Sequence, residues 1–105
     1  MTVMTGPPEI DPALVRAAQR GDRIAVADLM DALAPYVGRV CGPIALQDGP
    51  DAAQEALIAI LKNLGGLREP GAIYGWARTI AVREAIRVAR KAARAVPAEL
   101  ADVGG

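Results

Sequence analysis

The chain of 105 residues fits one domain with a single core, and its 52% apolar, aromatic-poor composition favours close-packed helices over a sheet. Its formal net charge is zero, but residues 1–60 sum to −4 and residues 61–105 to +4, which suggests two surfaces with different partners. With no histidine, no serine and one cysteine, the chain offers no catalytic dyad and no zinc spacing. No apolar run approaches the ~20 residues of a membrane span. We therefore expect a cytoplasmic binding module with no membrane partner, not an enzyme.

The predicted elements begin after a flexible N-terminal tail at residues 1–10. Asp11 can cap a first helix that starts at Pro12 and ends at Gly21. Asp22 can cap a second helix, in which Pro35 should produce a kink or a split. The apolar stripe predicted for this second helix consists of Val26, Leu29, Met30, Leu33, Val37 and Val40.

A turn over residues 46–51 leads to a third helix, from about residue 50 to 64, and a glycine-rich loop follows over 65–75. The fourth helix runs from Tyr74 or Trp76 to about residue 95, and residues 97–105 are a frayed end or the start of a linker. The buried stripe predicted for the third helix is Ala53, Leu57, Ile60, Leu61 and Leu64. These patterns predict an all-α fold, a compact bundle of four helices with the second kinked near Pro35, in one domain over residues 11–96.

The fourth helix gathers positive charge on one face. From Trp76 to Val96 it carries six basic side chains and one acid, Glu84. Arginines recur there at spacings of four, three and four residues, which places them on one side, opposite small apolar residues. A solvated face usually mixes signs, so we favour an anionic partner, and the obvious polyanion is nucleic acid. The four arginines of this face are Arg83, Arg87, Arg90 and Arg94, with Lys91 beside them.

The outward face of the third helix is polar except for Ile58. A single exposed isoleucine is common and needs no explanation. An isoleucine among polar neighbours also resembles a small protein-contact patch, and both interpretations stay open at this point. The outward side chains are Asp51, Gln54, Glu55, Ile58 and Lys62.

Three short motifs occur in order along the chain. Gly21 and Asp22 open the long second helix; "DAAQEAL", residues 51–57, matches D-x-x-Q-E-x-[FL]; and "WARTIA", residues 76–81, matches W-x-x-x-I-A before an arginine-rich helix end. Together they resemble region 2 of bacterial sigma factors of the extracytoplasmic-function (ECF) type, in the sigma-70 family. The resemblance covers about residues 11–95.

This resemblance implies a sigma subunit domain with two macromolecular partners and no cofactor. In that family the D-x-x-Q-E helix docks on the coiled coil of the largest catalytic subunit of core RNA polymerase, which implies that role for the outward face of the third helix. The loop before the tryptophan and the final helix capture flipped non-template bases of the −10 promoter element and hold the phosphates. The residues so implied in DNA binding are Tyr74, Arg78, Arg83, Arg87, Arg90, Lys91 and Arg94. An anti-sigma factor is a further possible partner.

The sequence departs from the family pattern at several positions. Arg83 and Arg87 stand where the family usually has Asn and Asp, so the promoter motif cannot be copied from relatives. Leu57 replaces the common Phe and Ala77 the common Leu. The second domain of ECF sigma factors, region 4, is absent from this sequence, which leaves open an excised domain or a naturally short protein.

Two aromatic residues receive different expectations. Trp76 is expected to pack inward, whereas Tyr74, in the predicted loop, is the better candidate for contacting an unstacked base. Two other functions remain as alternatives: a helix-turn-helix regulator that binds duplex DNA without polymerase, and a sigma-like decoy that binds proteins but no DNA.

Overall fold

Two aspartate caps start the first two helices, as the sequence predicts. In a computed structural model, which describes residues 7–95, α1 (Pro12–Gln19) follows Asp11 and α2 (Arg23–Ala45) follows Asp22. Each cap side chain accepts hydrogen bonds from backbone amides of the first turn, which have no partner inside the helix. Gly21 separates the two helices with φ at 92°, a conformation that favours glycine.

Helix α2 is continuous through Pro35, so a split at this position is wrong, while a bend there stays a prediction. Proline lacks an N–H and frees the carbonyl four residues earlier, at Asp31. Both residues lie on the exposed side of α2, where water can satisfy that carbonyl. On the opposite side the fully buried Leu33 and Val37 keep the helix packed against the core.

Two further helices complete the bundle. They are α3 (Gly49–Lys62) and α4 (Ile73–Arg94), and single-turn 3-10 helices precede α3 and occupy part of the α3–α4 connection. The all-α class is confirmed for residues 7–95. Within that range α2, α3 and α4 pack on one another while α1 has only eight residues, so the bundle has three main helices rather than four comparable ones. None of the helices in the described range combines the length and apolar character needed to span a bilayer.

The buried face of α3 differs from the predicted stripe. Small residues face the core, since Ala52 and Ala56 are fully buried, whereas Ala53 and Leu57 are half-buried and Leu61 is exposed. The physical reason is close helix packing: a Cβ added to Gly49 would lie 3.1 Å from the Cα atom of Gly42 in α2. Leucine side chains do not fit such an approach, so α3 turns its alanines inward.

The predicted N-terminal tail and C-terminal end lie partly or wholly outside the described residues. Residues 1–6 and 96–105 are not described. Residues 7–10, the last part of the predicted tail, contact the bundle, because Ile10 packs against the core and the Pro8 carbonyl accepts a hydrogen bond from Tyr74.

Candidate functional site

The basic face of α4 is exposed along its whole length. Its orientation follows from the opposite face, where Ala77, Ala81 and Ala85 are fully buried against the other helices. The helix therefore presents its long cationic side chains to solvent over about five turns. Each of the six basic residues predicted for DNA binding is exposed: Arg78, Arg83, Arg87, Arg90, Lys91 and Arg94.

Arg87 differs from the other arginines of this face. Its Nε donates to Glu84 Oε1 at 3.0 Å, and its Nη2 lies 3.4 Å from Oε1 of Glu55 in α3. Both ion pairs found within residues 7–95 involve Arg87. The structure thus joins a residue predicted for DNA binding to one predicted for polymerase binding, a contact that the separate motifs did not indicate.

The outward face of α3 carries a larger apolar patch than the sequence predicts. The five residues predicted for polymerase binding, Asp51, Gln54, Glu55, Ile58 and Lys62, are exposed. Ile58 is 42% exposed, and Leu61, which was predicted to be buried, is 45% exposed. These two residues are three apart, so they share one side of the helix. We call Ile58 and Leu61 the α3 apolar patch; it is flanked by carboxylates toward the N-terminus of α3 and by Lys62 toward its C-terminus.

A cleft of about 440 Å³ lies between the end of α3 and the first half of α4. Trp76 is half-buried at this cleft and also packs against the core, so the prediction of an inward tryptophan describes only part of its surroundings. The cleft is lined by Ala59, Asn63, Gly66, Trp76, Thr79, Ile80, Arg83 and Glu84. The sequence analysis did not identify three of these as site residues: Asn63, Thr79 and Glu84. They come together only where the end of α3 meets α4, so the packing of these two helices would have to be known to find them.

The α3–α4 connection is fastened to α1 by Gln19. The Nε2 atom of Gln19 donates to the carbonyl oxygens of Leu64 and Leu67, at 3.0 and 2.7 Å. The Leu64 carbonyl also accepts from the backbone N–H of Leu67 at 3.2 Å, so the side-chain amide adds a second donor there and supplies a donor to the Leu67 carbonyl. Gln19 thereby ties to α1 the segment that contains Gly66, one of the cleft residues, and no motif indicated this contact.

Tyr74 lies in a helix, which agrees with the earlier of the two predicted starts of the fourth helix, so its placement in the glycine-rich loop is wrong. It belongs to the first turn of α4, its hydroxyl donates to the Pro8 carbonyl, and its ring packs edge-on against Tyr36 with centroids 5.0 Å apart. Burial raises the pKa of Tyr74, with a smaller opposing effect of Arg39. The predicted loop was too long because α4 begins at Ile73, inside the glycine-rich segment. Tyr74 is therefore held by protein contacts on two sides.

Cys41 lies in the interior, away from these surfaces. It is fully buried, and its Sγ is 3.7 Å from the Ala81 carbonyl, within reach of a weak S–H donor. Burial, and then the nearby Glu84 carboxylate, raise the pKa of the thiol. The cysteine is thus a packing residue between α2 and α4.

These features define a helical binding module: a basic helix face, an adjacent cleft with a half-buried tryptophan, and an apolar patch on the next helix. The family model described as Sigma-70 region 2 matches residues 25–95, which is more than half of the chain. The chain therefore belongs to the sigma-70 family, whose region 2 binds core RNA polymerase and promoter DNA. A search of curated proteins and a search of solved structures found no match.

Proposed function

We propose that this domain is region 2 of an ECF-type sigma factor that docks on core RNA polymerase through α3 and binds the non-template strand of the −10 element through α4. The observation that carries the proposal is the cleft at Trp76 beside the exposed arginine face, because a promoter-melting domain needs both a base site and a track for phosphates. The domain acts by binding in the cytoplasm and performs no catalysis. A protein that covers α3 or α4, such as an anti-sigma factor, would hold it inactive.

The α3 apolar patch supports the polymerase contact. Interface centres are apolar and surrounded by polar groups, and the patch at Ile58 and Leu61 has that arrangement on a small scale. Glu55 and Gln54 lie one turn before Ile58 and would contribute the polar contacts. The proposed partner surface is the coiled coil of the largest catalytic subunit.

The cleft supports the capture of a flipped base. Its volume of about 440 Å³ lies within the range of ~300–1,000 Å³ that ligand pockets occupy. Trp76 offers an aromatic surface for stacking, and Asn63 and Thr79 add polar groups, although both already bond to carbonyls of their own helices. Tyr74, which is held by Pro8 and Tyr36, is the weaker candidate for this role.

The arginine face supports contacts with phosphates. A row of cations along a helix follows a backbone better than it reads base edges, so these residues position the strand and add affinity regardless of sequence. Arg83 is the exception, because it also lines the cleft. It is therefore the basic residue best placed to contact a base as well as the backbone.

The test is a fluorescence-anisotropy titration of labelled single-stranded and duplex promoter oligomers, with and without core RNA polymerase, at several salt concentrations. We expect a preference for single strands, since opening a duplex costs a few kcal/mol per flipped base. Replacing Arg90 and Arg94 with Gln should weaken binding to every sequence and reduce the salt slope by ~0.7 for each lost phosphate contact. The matched control replaces Arg16 and Arg20, two exposed arginines near α1, and should leave the slope unchanged.

The alternatives make different predictions in the same titration. Tight binding to closed duplex DNA without polymerase would favour the helix-turn-helix regulator. Binding to polymerase with no DNA binding in any combination would favour the decoy.

A further inference from the structure

Arg87 connects the two surfaces that the proposed function assigns to different partners. It belongs to the arginine face of α4, yet its guanidinium contacts Glu84 on the same helix and Glu55 on α3. We propose that Glu55 and Glu84 are positioning residues that hold Arg87 away from DNA in the free domain, and that a basic partner docking at Glu55 releases it. This inference rests on the proposed function and adds a coupling between its two binding events.

The two contacts of Arg87 are unequal. The Nε contact with Glu84 is short at 3.0 Å, and the Glu84 side chain is only 19% exposed, so little of this carboxylate is open to an incoming protein. The Nη2 contact with Glu55 is longer at 3.4 Å, and the Glu55 side chain is 46% exposed. Glu55 is therefore the carboxylate that an incoming partner can reach, while Glu84 stays with Arg87.

The charge around Glu55 indicates the chemistry of the partner that would engage it. Asp51 lies one turn before Glu55 on the exposed face of α3, so the two acids form an anionic segment ahead of the apolar patch. A complementary surface presents Lys or Arg side chains at this point. Such cations compete with Arg87 for Glu55, and they leave the guanidinium with one carboxylate instead of two.

The expected size of the effect follows from the exposure of the pair. Ion pairs between exposed side chains contribute little, which corresponds to about a 1.5- to 5-fold change in a binding constant for each pair. A phosphate that approaches Arg87 in the free domain has to compete with both carboxylates. By linkage, the factor by which polymerase docking raises DNA affinity equals the factor by which bound DNA raises polymerase affinity.

The experiment is a double-mutant cycle on the full 105-residue chain, read by anisotropy of a labelled single-stranded promoter oligomer at low salt. Glu55→Gln should raise DNA affinity by about 1.5- to 5-fold. Asp51→Asn removes the same charge from the same helix without touching Arg87, and it should have a smaller effect. When Arg87→Gln is present, the effect of Glu55→Gln should fall to the size of that control.

A second measurement follows the coupling itself. In the wild-type chain, core polymerase should raise DNA affinity by a factor that becomes smaller in Glu55→Gln, because the release of Arg87 has already occurred. Circular dichroism checks that each variant keeps its helices. The Nε–H signal of Arg87 in NMR spectra reports the pair without DNA; it should be protected from exchange in the wild type and lose this protection in Glu84→Gln.

The outcomes separate this inference from the proposed function. If the wild-type chain binds both polymerase and single-stranded DNA but Glu55→Gln has the same effect with and without Arg87→Gln, the positioning role is refuted and the proposed function stands. If the wild-type chain binds neither partner, both are overturned. An Nε–H signal of Arg87 that exchanges as fast as those of Arg90 and Arg94 would also refute the positioning role.

Discussion

Charging the α3 apolar patch should abolish most of the affinity for core polymerase. Fully burying an Ile or Leu side chain stabilises by ~1.5–3 kcal/mol, and Ile58 and Leu61 still expose 42% and 45% of their surface. Covering the remainder at an interface would thus contribute about 0.6–1.3 kcal/mol for Ile58 and about 0.7–1.4 kcal/mol for Leu61. Ile58→Glu combined with Leu61→Glu should lower the affinity by at least ~10- to 70-fold, since the buried charges add a further cost.

The assay measures binding of the labelled chain to purified core polymerase without DNA, so that effects on α4 do not contribute. Ile86→Glu is the matched control, because Ile86 is 38% exposed and lies on α4. Circular dichroism and a melting curve verify that all variants fold. Unchanged polymerase affinity in the double variant, or an equal loss in Ile86→Glu, would refute the assignment of the patch to polymerase.

Four further substitutions test individual side chains. Trp76→Ala should reduce the free energy of unfolding by about 2 kcal/mol, below the ~3–5 kcal/mol of a fully buried aromatic. It should also weaken single-stranded DNA binding by about 1–3 kcal/mol if a base stacks in the cleft. A variant that binds DNA as tightly as the wild type would leave Trp76 as a packing residue only. Tyr74→Phe should cost about 0.5–1.5 kcal/mol of stability through the lost bond to Pro8, without changing DNA affinity, as chemical denaturation and anisotropy can test. Leu46→Gly should stabilise the chain by about 1 kcal/mol in urea unfolding, because Leu46 is 73% exposed and has a positive φ of 55° that suits glycine. The raised pKa of Cys41 means that the folded state keeps the thiol proton more firmly than the unfolded state. The contribution of this thiol to the free energy of unfolding should therefore be constant below its ordinary pKa of 9.0 and fall as pH rises above that value. Cys41→Ala should reduce this alkaline loss of stability.

Local chemistry predicted the helix starts well. Asp11 and Asp22 are caps whose effect depends on a few neighbouring residues, and Gly21 ends a helix by its own backbone preference, so these positions could be predicted without tertiary information. Pro35 was misjudged as a possible break because the cost of a proline inside a helix depends on whether the freed carbonyl can reach water. That depends on which side of α2 is buried, a property of the folded bundle.

The buried face of α3 shows why periodicity alone was insufficient. Ala52 and Ala56 follow the same helical spacing as Ala53 and Leu57, and a hydrophobicity criterion prefers the face with leucine. The close approach of Gly42 and Gly49 selects the other face, because two helices that pack this tightly need small residues between them. Because α3 is turned so that its alanines face the core, Leu61 is exposed. It thereby enlarges the apolar patch beyond Ile58.

Exposure of the candidate site residues was easier to predict than their contacts. The basic face of α4 follows from spacing within one helix, and every basic residue assigned to it is exposed. The hydrogen bonds of Gln19 and the ion pair between Arg87 and Glu55 join residues 32 to 48 positions apart, so they appear only when the helices are packed. The contacts of Tyr74 with Pro8 and Tyr36 also join distant segments, so they could not be predicted from the sequence.

The two arginines that depart from the family pattern are four residues apart on one helix face, yet their surroundings differ. Arg83 lines the cleft beside Trp76, whereas Arg87 lies at the α3 boundary between two carboxylates. If the cleft is the proposed base site, a change from Asn to Arg there alters which groups can meet a base, and therefore bears on which promoter sequence is bound. A change from Asp to Arg beside Glu55 turns a position of like charge into an attractive contact between α3 and α4, and therefore bears on how polymerase docking affects DNA binding. Under the proposed function and the proposed coupling, the two departures therefore act on separate properties, sequence preference and coupling, although a comparison of motifs alone treats them as one altered recognition element.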